Sequence, residues 1–344
     1  MTPSSQPTRP APGPRPATRW SWRSRAFRGW VYQALAVAAI ALALGWLAHN
    51  TLLNMRERGI QSGFDFLRES AGFDIGEGLW AFDASQPYWR AFGVGLLNTL
   101  RVALFGCVLT TLLGALLGVG RFSRNALVRG LCASYVEVFR NVPLLLQLLM
   151  WYLLFTELLP DAAQAWQLGS VYLSKGGLNY PVPLWPAGGA LQWDSPVRGE
   201  FAIENGGALT PEFMALLLGL TLYTAAFVAE VVRSGIASVA RGQGEAAAAL
   251  GLSRRQELRL VMLPQALRVI IPPLTNQYLN LTKNSSLAVA IGYPDVVSIA
   301  NTAINQTGRA VECISIVMAI YLSTSLLTSL LMSRYNARAA IRER

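Results

Sequence analysis

Apolar residues dominate six stretches of the chain: Val31 to Ala48, Phe92 to Val119, Leu131 to Phe155, Phe213 to Val232, Ala266 to Ile291 and Cys313 to Met332. Each is long enough to supply the roughly 20-residue helix that crosses a bilayer. The fifth is the least regular, because Pro272-Pro273 and several polar residues interrupt it. Prolines inside a span need neighbouring helices to satisfy the backbone groups they free. The pattern predicts an all-α membrane protein of about six transmembrane helices.

The polar intervals set the orientation. Arginines crowd the N-terminal tail (Arg9, Arg15, Arg19, Arg23, Arg25, Arg28), the second connection (Arg121, Arg124, Arg129), the fourth (Arg233, Arg241, Arg254, Arg255, Arg259, Arg268) and the C-terminus (Arg334, Arg338, Arg342, Arg344). Acids gather in the first connection (Asp65, Glu69, Asp74, Glu77, Asp83) and the third (Asp161, Asp194, Glu200, Glu204). Cytoplasmic loops carry the excess of Lys and Arg, so both termini and the fourth connection are expected in the cytoplasm.

The expected organisation is a disordered basic tail over 1–29, a first span with its outer loop over 30–91, a core over 92–334 and a basic C-terminal tail over 335–344. The tail from Met1 to Arg19 is rich in Pro, Ser and Thr and holds no acid. The segment after it is too long for a signal-peptide core and lacks a small-residue cleavage site, which leaves a retained helix. Within the core, the interval 157–212 is long and holds Trp166, Tyr172, Tyr180, Trp185 and Trp193, residue types that favour the membrane–water boundary. It is compatible with a cap over the outer mouth that touches a delivery protein, or with a passive interfacial loop.

Composition agrees. Mean hydropathy is +0.36, with 53% hydrophobic and 14% charged residues, too apolar for an ordinary soluble surface. The net charge of +10 is spread over short loops rather than gathered on one domain, so no nucleic-acid partner is expected. Cys107, Cys132 and Cys313 have no metal or disulfide spacing, and His49 is the one histidine. Neither a metal site nor a catalytic triad is expected.

The loop from Gly235 to Pro264 has its own design. Gln243 to Leu250 is an alanine-rich helix former, and Gly251 stands where a left-handed cap would end it. Ser253 and Gln256 have capping-box spacing for a second helix from Arg254, with Leu258, Val261 and Met262 as its apolar ridge before Pro264. A solvated linker needs neither caps nor ridge.

Glu245-Ala246-Ala247, Gly251 and Leu263-Pro264 resemble the EAA loop of the membrane subunits of ATP-binding-cassette importers. Gly95-Leu96-Leu97-Asn98-Thr99-Leu100, Glu137, Arg140-Asn141-Val142-Pro143, Gln147, Leu263-Pro264-Gln265-Ala266 and Lys283-Asn284-Ser285-Ser286-Leu287 resemble its polar amino acid permeases. The early span and the insertion around Tyr172 to Pro186 resemble the larger permeases of broad-specificity amino acid importers; Arg140-Asn141 departs from the usual Arg-Gly.

The resemblance implies a MetI-like permease core with an extra N-terminal span, multi-pass in a bacterial inner membrane. It implies that Glu245, Ala246, Ala247, Gly251, Leu252 and Pro264 couple this chain to an ATPase. Two ATP-binding subunits, a periplasmic amino-acid-binding protein and a second permease chain, identical or more fittingly related, are the implied partners beside membrane lipid. The chain has no G-x-x-x-x-G-K-[ST] loop, so ATP and magnesium belong to the partner and the chain itself is expected to be neither enzyme nor cofactor carrier.

Ionisable groups inside spans mark function by default. Glu137 with Arg140, and Glu230 with Arg233, stand three apart and are expected to pair on a helix face near cytoplasmic ends. In the fifth span Asn276, Gln277, Asn280, Lys283 and Asn284 form a polar helical face ahead of Ser285. It suits either a partner helix or a water-filled translocation path, where Lys283 would attract a substrate carboxylate. Gly106, Gly114, Gly118 and Gly120 suit close helix packing. The competing class, a secondary transporter or channel, predicts inverted repeats with paired broken helices, and the sequence has one interrupted span.

Overall fold

The computed structural model describes residues 24–57, 59, 62–184, 191–199 and 202–339. Arg9, Arg15, Arg19 and Arg23 of the tail, Trp185 and Glu200 of the third connection, and Arg342 and Arg344 lie outside them. The chain divides into two compact units, Met1–Ser62 and Gly63–Arg344. The first holds α1 (Arg25–Glu57), which starts before the expected boundary at 30 and is long and apolar enough to span a bilayer.

The second unit is built on α2 (Tyr88–Gly120) and α5 (Pro211–Ala237). They run parallel and in register: the Thr110 hydroxyl donates to the Thr221 carbonyl at 3.4 Å, and Arg121 pairs with Glu230 further along. The glycine spacing explains how close they come. A Cβ on Gly114 would stand 2.6 Å from Val228, and one on Gly118 2.7 Å from the Ala229 carbonyl oxygen. Small residues allow this approach where lipid offers no hydrophobic drive between helices.

The third predicted span is not one helix. α3 (Ala126–Asn141) and α4 (Leu144–Leu153), which continues in wider turns to Leu158, meet at 102°. Pro143 forces the preceding residue out of the helical region, and Val142 is extended at φ −91°, ψ 128°. Gln147 repairs the break: buried in α4, its Nε2 donates to the carbonyls of Phe139 at 3.0 Å and Val142 at 2.9 Å.

Beyond α5 come α6 (Arg241–Ala249), the short α7 (Arg254–Gln256) and α8 (Leu263–Asn284), which runs through Pro272 and Pro273. α8 lies antiparallel to α2 and α5. Its Ile270 fills the space over Gly235 and its Leu281 that over Gly106. A tighter turn over Ser285–Ile291 closes at Gly292 (φ +79°) and leads into α9 (Val296–Thr307), then α10 (Ala310–Ala339). The predicted span to Ile291 thus ends as regular helix at Asn284, and the C-terminal tail begins inside α10. Five helices among the described residues have the length and composition of spans, six with the α3–α4 pair.

Within this mostly helical fold the interval 157–212 adds short β-strands. β1 (Trp166–Leu168), β2 (Val171–Ser174), β3 (Gly177–Tyr180) and β8 (Gly207–Leu209) form an antiparallel sheet in the order β1-β2-β3-β8. β4 (Val182–Leu184) pairs with β5 (Gln192–Asp194), and β6 (Val197–Arg198) with β7 (Ile203–Glu204). Glycine turns come too often for helices to nucleate, and Gly177 (φ +110°) has no room for a side chain, since a Cβ would lie 2.1 Å from the Leu209 carbonyl oxygen.

The boundary expected at residue 92 also moves. The loop from Gly63 to Pro87 packs Phe66, Ala71, Ile75 and Phe82 against Tyr88 and Phe92 of α2, Val296 and Ile299 of α9 and Cys313 of α10. It is part of the core.

Candidate functional site

α6 lies beyond the end of α5, at the end of the bundle where α2 and α5 finish. Alanines give the helix and Gly251 stops it: at φ +74° the Gly251 N–H donates to the Ala248 carbonyl at 3.0 Å and the Leu252 N–H to that of Ala247 at 3.1 Å. This paired closure satisfies carbonyls that a bare helix end leaves open. The Ser253 N–H donates to Gln256 Oε1 at 2.9 Å, so α7 starts at the predicted residue. The second helix does not stop before Pro264, however. Wider turns over Glu257–Met262 carry it into α8, because Pro264 has no N–H for the regular ladder and the ladder shifts register around it.

The predicted coupling residues separate by exposure. Ala247 is buried and holds α6 to the chain, and Leu252 and Pro264 are half-buried. Glu245, Ala246 and Gly251 are exposed, with Leu250 the most exposed large apolar side chain of the loop at 81%. Glu245 borders a groove with Arg241, Gly244, Glu257 and Met262.

On α8 the polar face is a surface of this chain. Asn276, Asn280 and Lys283 are exposed, and Gln277 and Asn284 half-buried. Lys283 has no carboxylate partner among the described residues. Ser285 departs from the expected set: it is fully buried, and its hydroxyl donates to the Thr282 carbonyl at 2.8 Å.

Of the two predicted ion pairs, one forms. Arg233 Nε donates to Glu230 Oε1 at 3.0 Å, and Arg121 of α2 joins the same carboxylate. Glu137 and Arg140 do not pair; Arg140 stacks on Phe227 of α5 at 5.2 Å, while Glu137 faces Asn141. Cation–π contact on the neighbouring helix replaces the local pair.

A further cluster had no local signal. At the opposite end of the α2–α5 pair, Arg101 Nη1 lies 3.0 Å from Glu77 Oε1, both largely buried. The Thr210 hydroxyl, which N-caps α5 by accepting from the Phe213 N–H at 3.1 Å, donates to the other Glu77 oxygen. The Arg101 guanidinium sits 4.1 Å over the Phe213 ring. Burial raises the Glu77 carboxyl above the usual carboxylate range, and Thr210 and Arg101 pull it back. Asn98 ties the region together, its Nδ2 donating to the carbonyls of Glu77 at 2.9 Å and Pro294 at 3.0 Å. Neighbouring Gly95 lets α9 approach, since a Cβ there would lie 3.0 Å from Val296 Cα. The Gly95-to-Leu100 motif is therefore a joint between α2, the first loop and α9. Arg101 alone in an apolar stretch was the available hint; its partner lies 24 residues away in a loop.

A family model described as binding-protein-dependent transport system inner membrane component matches residues 110–342. The chain belongs to this family of transport permeases. It is similar, at 42% identity over 96% of its length and 98% of the relative's, to the general L-amino acid transport system permease protein AapQ of Rhizobium johnstonii. It is 35% identical, over 92% and 95%, to the glutamate/glutamine/aspartate/asparagine transport system permease protein BztB of Rhodobacter capsulatus. A crystal structure of an amino acid ABC transporter with histidines superposes on 73% of this chain and 95% of its own, with a TM-score of 0.55 and 27% identity. The permease is thus an ABC-transporter membrane subunit with a MetI-like core, not itself an enzyme.

Proposed function

We propose that this permease is the membrane-spanning subunit of an ATP-driven importer of L-amino acids in a bacterial inner membrane. A periplasmic binding protein delivers substrate to the end of the bundle that carries the first loop and the β-rich insertion. Two ATP-binding subunits, which hold the ATP and magnesium, act at the other end through α6. A second permease chain, identical or related, faces the polar side of α8 and completes the path.

The observation that carries this reading is α6: a capped helix anchored by Ala247 that leaves Glu245, Ala246 and Leu250 exposed at the arginine-rich end. That end belongs in the cytoplasm by charge, where ATP is available. The exposed Asn276, Asn280 and Lys283 support a path between subunits, since such groups would be costly against lipid. Lys283 supplies the cation for a substrate carboxylate. The amino acid class is supported by the relatives, permeases of amino acid transport systems that match this chain nearly end to end.

Co-purification tests the reading. The tagged chain, co-expressed with the ATPase subunit, is expected to bring it down in stoichiometric amount, and Glu245→Lys to reduce the recovered ATPase by at least tenfold. Undiminished recovery with Glu245→Lys, together with unchanged amino acid uptake, would remove α6 from the coupling surface.

A further inference from the structure

The α2–α5 pair is fastened by ions at two levels. Arg101 and Glu77 lie at one level with Thr210, and Arg121 and Glu230 at the other. Arg101 and Arg121 are separated by about 30 Å along α2 at 1.5 Å per residue, close to the thickness of the hydrocarbon core. That separation lets the two pairs stand at opposite edges of an apolar layer, where an ion pair is tolerable. Between them α2 meets α5 through Gly114, Gly118, apolar side chains and one long hydrogen bond from the Thr110 hydroxyl to the Thr221 carbonyl at 3.4 Å, with no ion pair.

The two pairs differ in what they join. Arg121 and Glu230 link two helices that already touch. Glu77 joins three elements at one carboxylate: the first loop, which carries it, α2 through Arg101, and the N-cap of α5 through Thr210. Asn98 extends the junction to the turn before α9 through the carbonyl of Pro294. The other end of the loop is held at α10, where the Gly63 N–H donates to Glu312 Oε1 at 2.7 Å, and the Tyr88 hydroxyl reaches Gln306 of α9 at 2.6 Å. A displacement of the α5 N-terminus is thus handed directly to the first loop by Glu77, while α2, which Glu77 holds through Arg101, carries it to α9, where Asn98 holds the Pro294 carbonyl and the Thr99 hydroxyl accepts from the Val296 N–H at 3.3 Å.

We propose that Glu77, Arg101 and Thr210 form a latch that makes the first loop and the start of α9 move with α2 and α5 during transport. They are positioning residues: force applied at α6 reaches α5, and the latch hands the movement of the α5 N-terminus to the elements that border the opposite mouth. The inference rests on the transport reading above. A space-filling cluster would set stability alone, whereas a latch sets how much substrate moves for each ATP hydrolysed.

The test uses the full complex, with its ATPase subunits, second permease chain and binding protein, in proteoliposomes supplied with a mixture of radiolabelled L-amino acids. Glu77→Gln removes the charge and keeps the shape. The expected result is normal assembly, ATP hydrolysis within twofold of the unsubstituted complex, and amino acid moved per ATP reduced at least tenfold, with partial recovery in the double variant Glu77→Arg, Arg101→Glu. An unchanged ratio in assembled Glu77→Gln would overturn the latch. Should Glu77→Gln fail to assemble, Arg101→Lys is measured by the same ratio: a tenfold fall supports the latch, and an unchanged ratio or a second failure to assemble overturns it in favour of a structural role. An unsubstituted complex that hydrolyses ATP and moves no amino acid would instead overturn the transport reading beneath it.

Discussion

Gly114 and Gly118 act through what they lack. Each leaves room for the neighbouring helix to approach its backbone, and the spacing of four residues keeps both on one face. Gly114→Val would drive a side chain into Val228 and is expected to destabilise the fold by about 1–3 kcal/mol. Gly130→Val on α3, where nothing lies within 4 Å of the added Cβ, serves as the control. Thermal unfolding in detergent should separate the two, and equal midpoints would refute the close-packing role. These glycines were legible from spacing alone. Glu77 and Arg101 were not, because a buried ion pair depends on where a loop folds back. Ser285 likewise sits in sequence beside the polar face but turns inward, since the helix tightens after Asn284 and rotates the side chain away.

At the scale of elements, the chain reads well wherever one apolar stretch makes one straight helix. It reads poorly at the α3–α4 bend, in α9 and in the β-rich insertion. The bend leaves carbonyls that Gln147 satisfies from within the second helix, so Gln147→Leu would strand the carbonyls of Phe139 and Val142. The expected loss is about 1–3 kcal/mol for each carbonyl left buried and unpaired. It is measurable as a lower unfolding midpoint, with Gln147→Glu giving a smaller loss only if protonated. A midpoint unchanged by Gln147→Leu would mean that the bend is set by Pro143 alone. α9 escaped notice because Ser298, Asn301, Thr302 and Asn305 break its apolar pattern, while its caps, Asp295 and Gly308, lie in a stretch without other helix signals. In α6 the caps and the alanine run agree, and the predicted stop at Gly251 coincides with the observed left-handed residue.

For the molecule as a whole, the two ends of the bundle carry different chemistry. One end gathers α6 and the arginines near Glu230, and the other gathers the acidic first loop and the β-rich insertion. This polarity predicts opposite accessibility. In a variant with Cys107, Cys132 and Cys313 replaced by alanine, Leu250→Cys just after α6 and Leu168→Cys on β1 probe the two ends, both native side chains being more than 80% exposed. An impermeant maleimide should label Leu168→Cys in right-side-out vesicles and Leu250→Cys in inverted ones. The reverse pattern would place α6 away from ATP and dismiss the coupling role.

The number of membrane-crossing stretches, the excess of arginine at alternate connections and the capped alanine helix were all fixed by the sequence, because each rests on composition or on residues within a few positions of one another. The bend between α3 and α4, the inward turn of Ser285, the joining of the first loop to α9 and the pairing of Glu77 with Arg101 and Thr210 were decided by the tertiary structure. Those features depend on groups far apart in the chain, whose burial and partners exist only once the helices have packed.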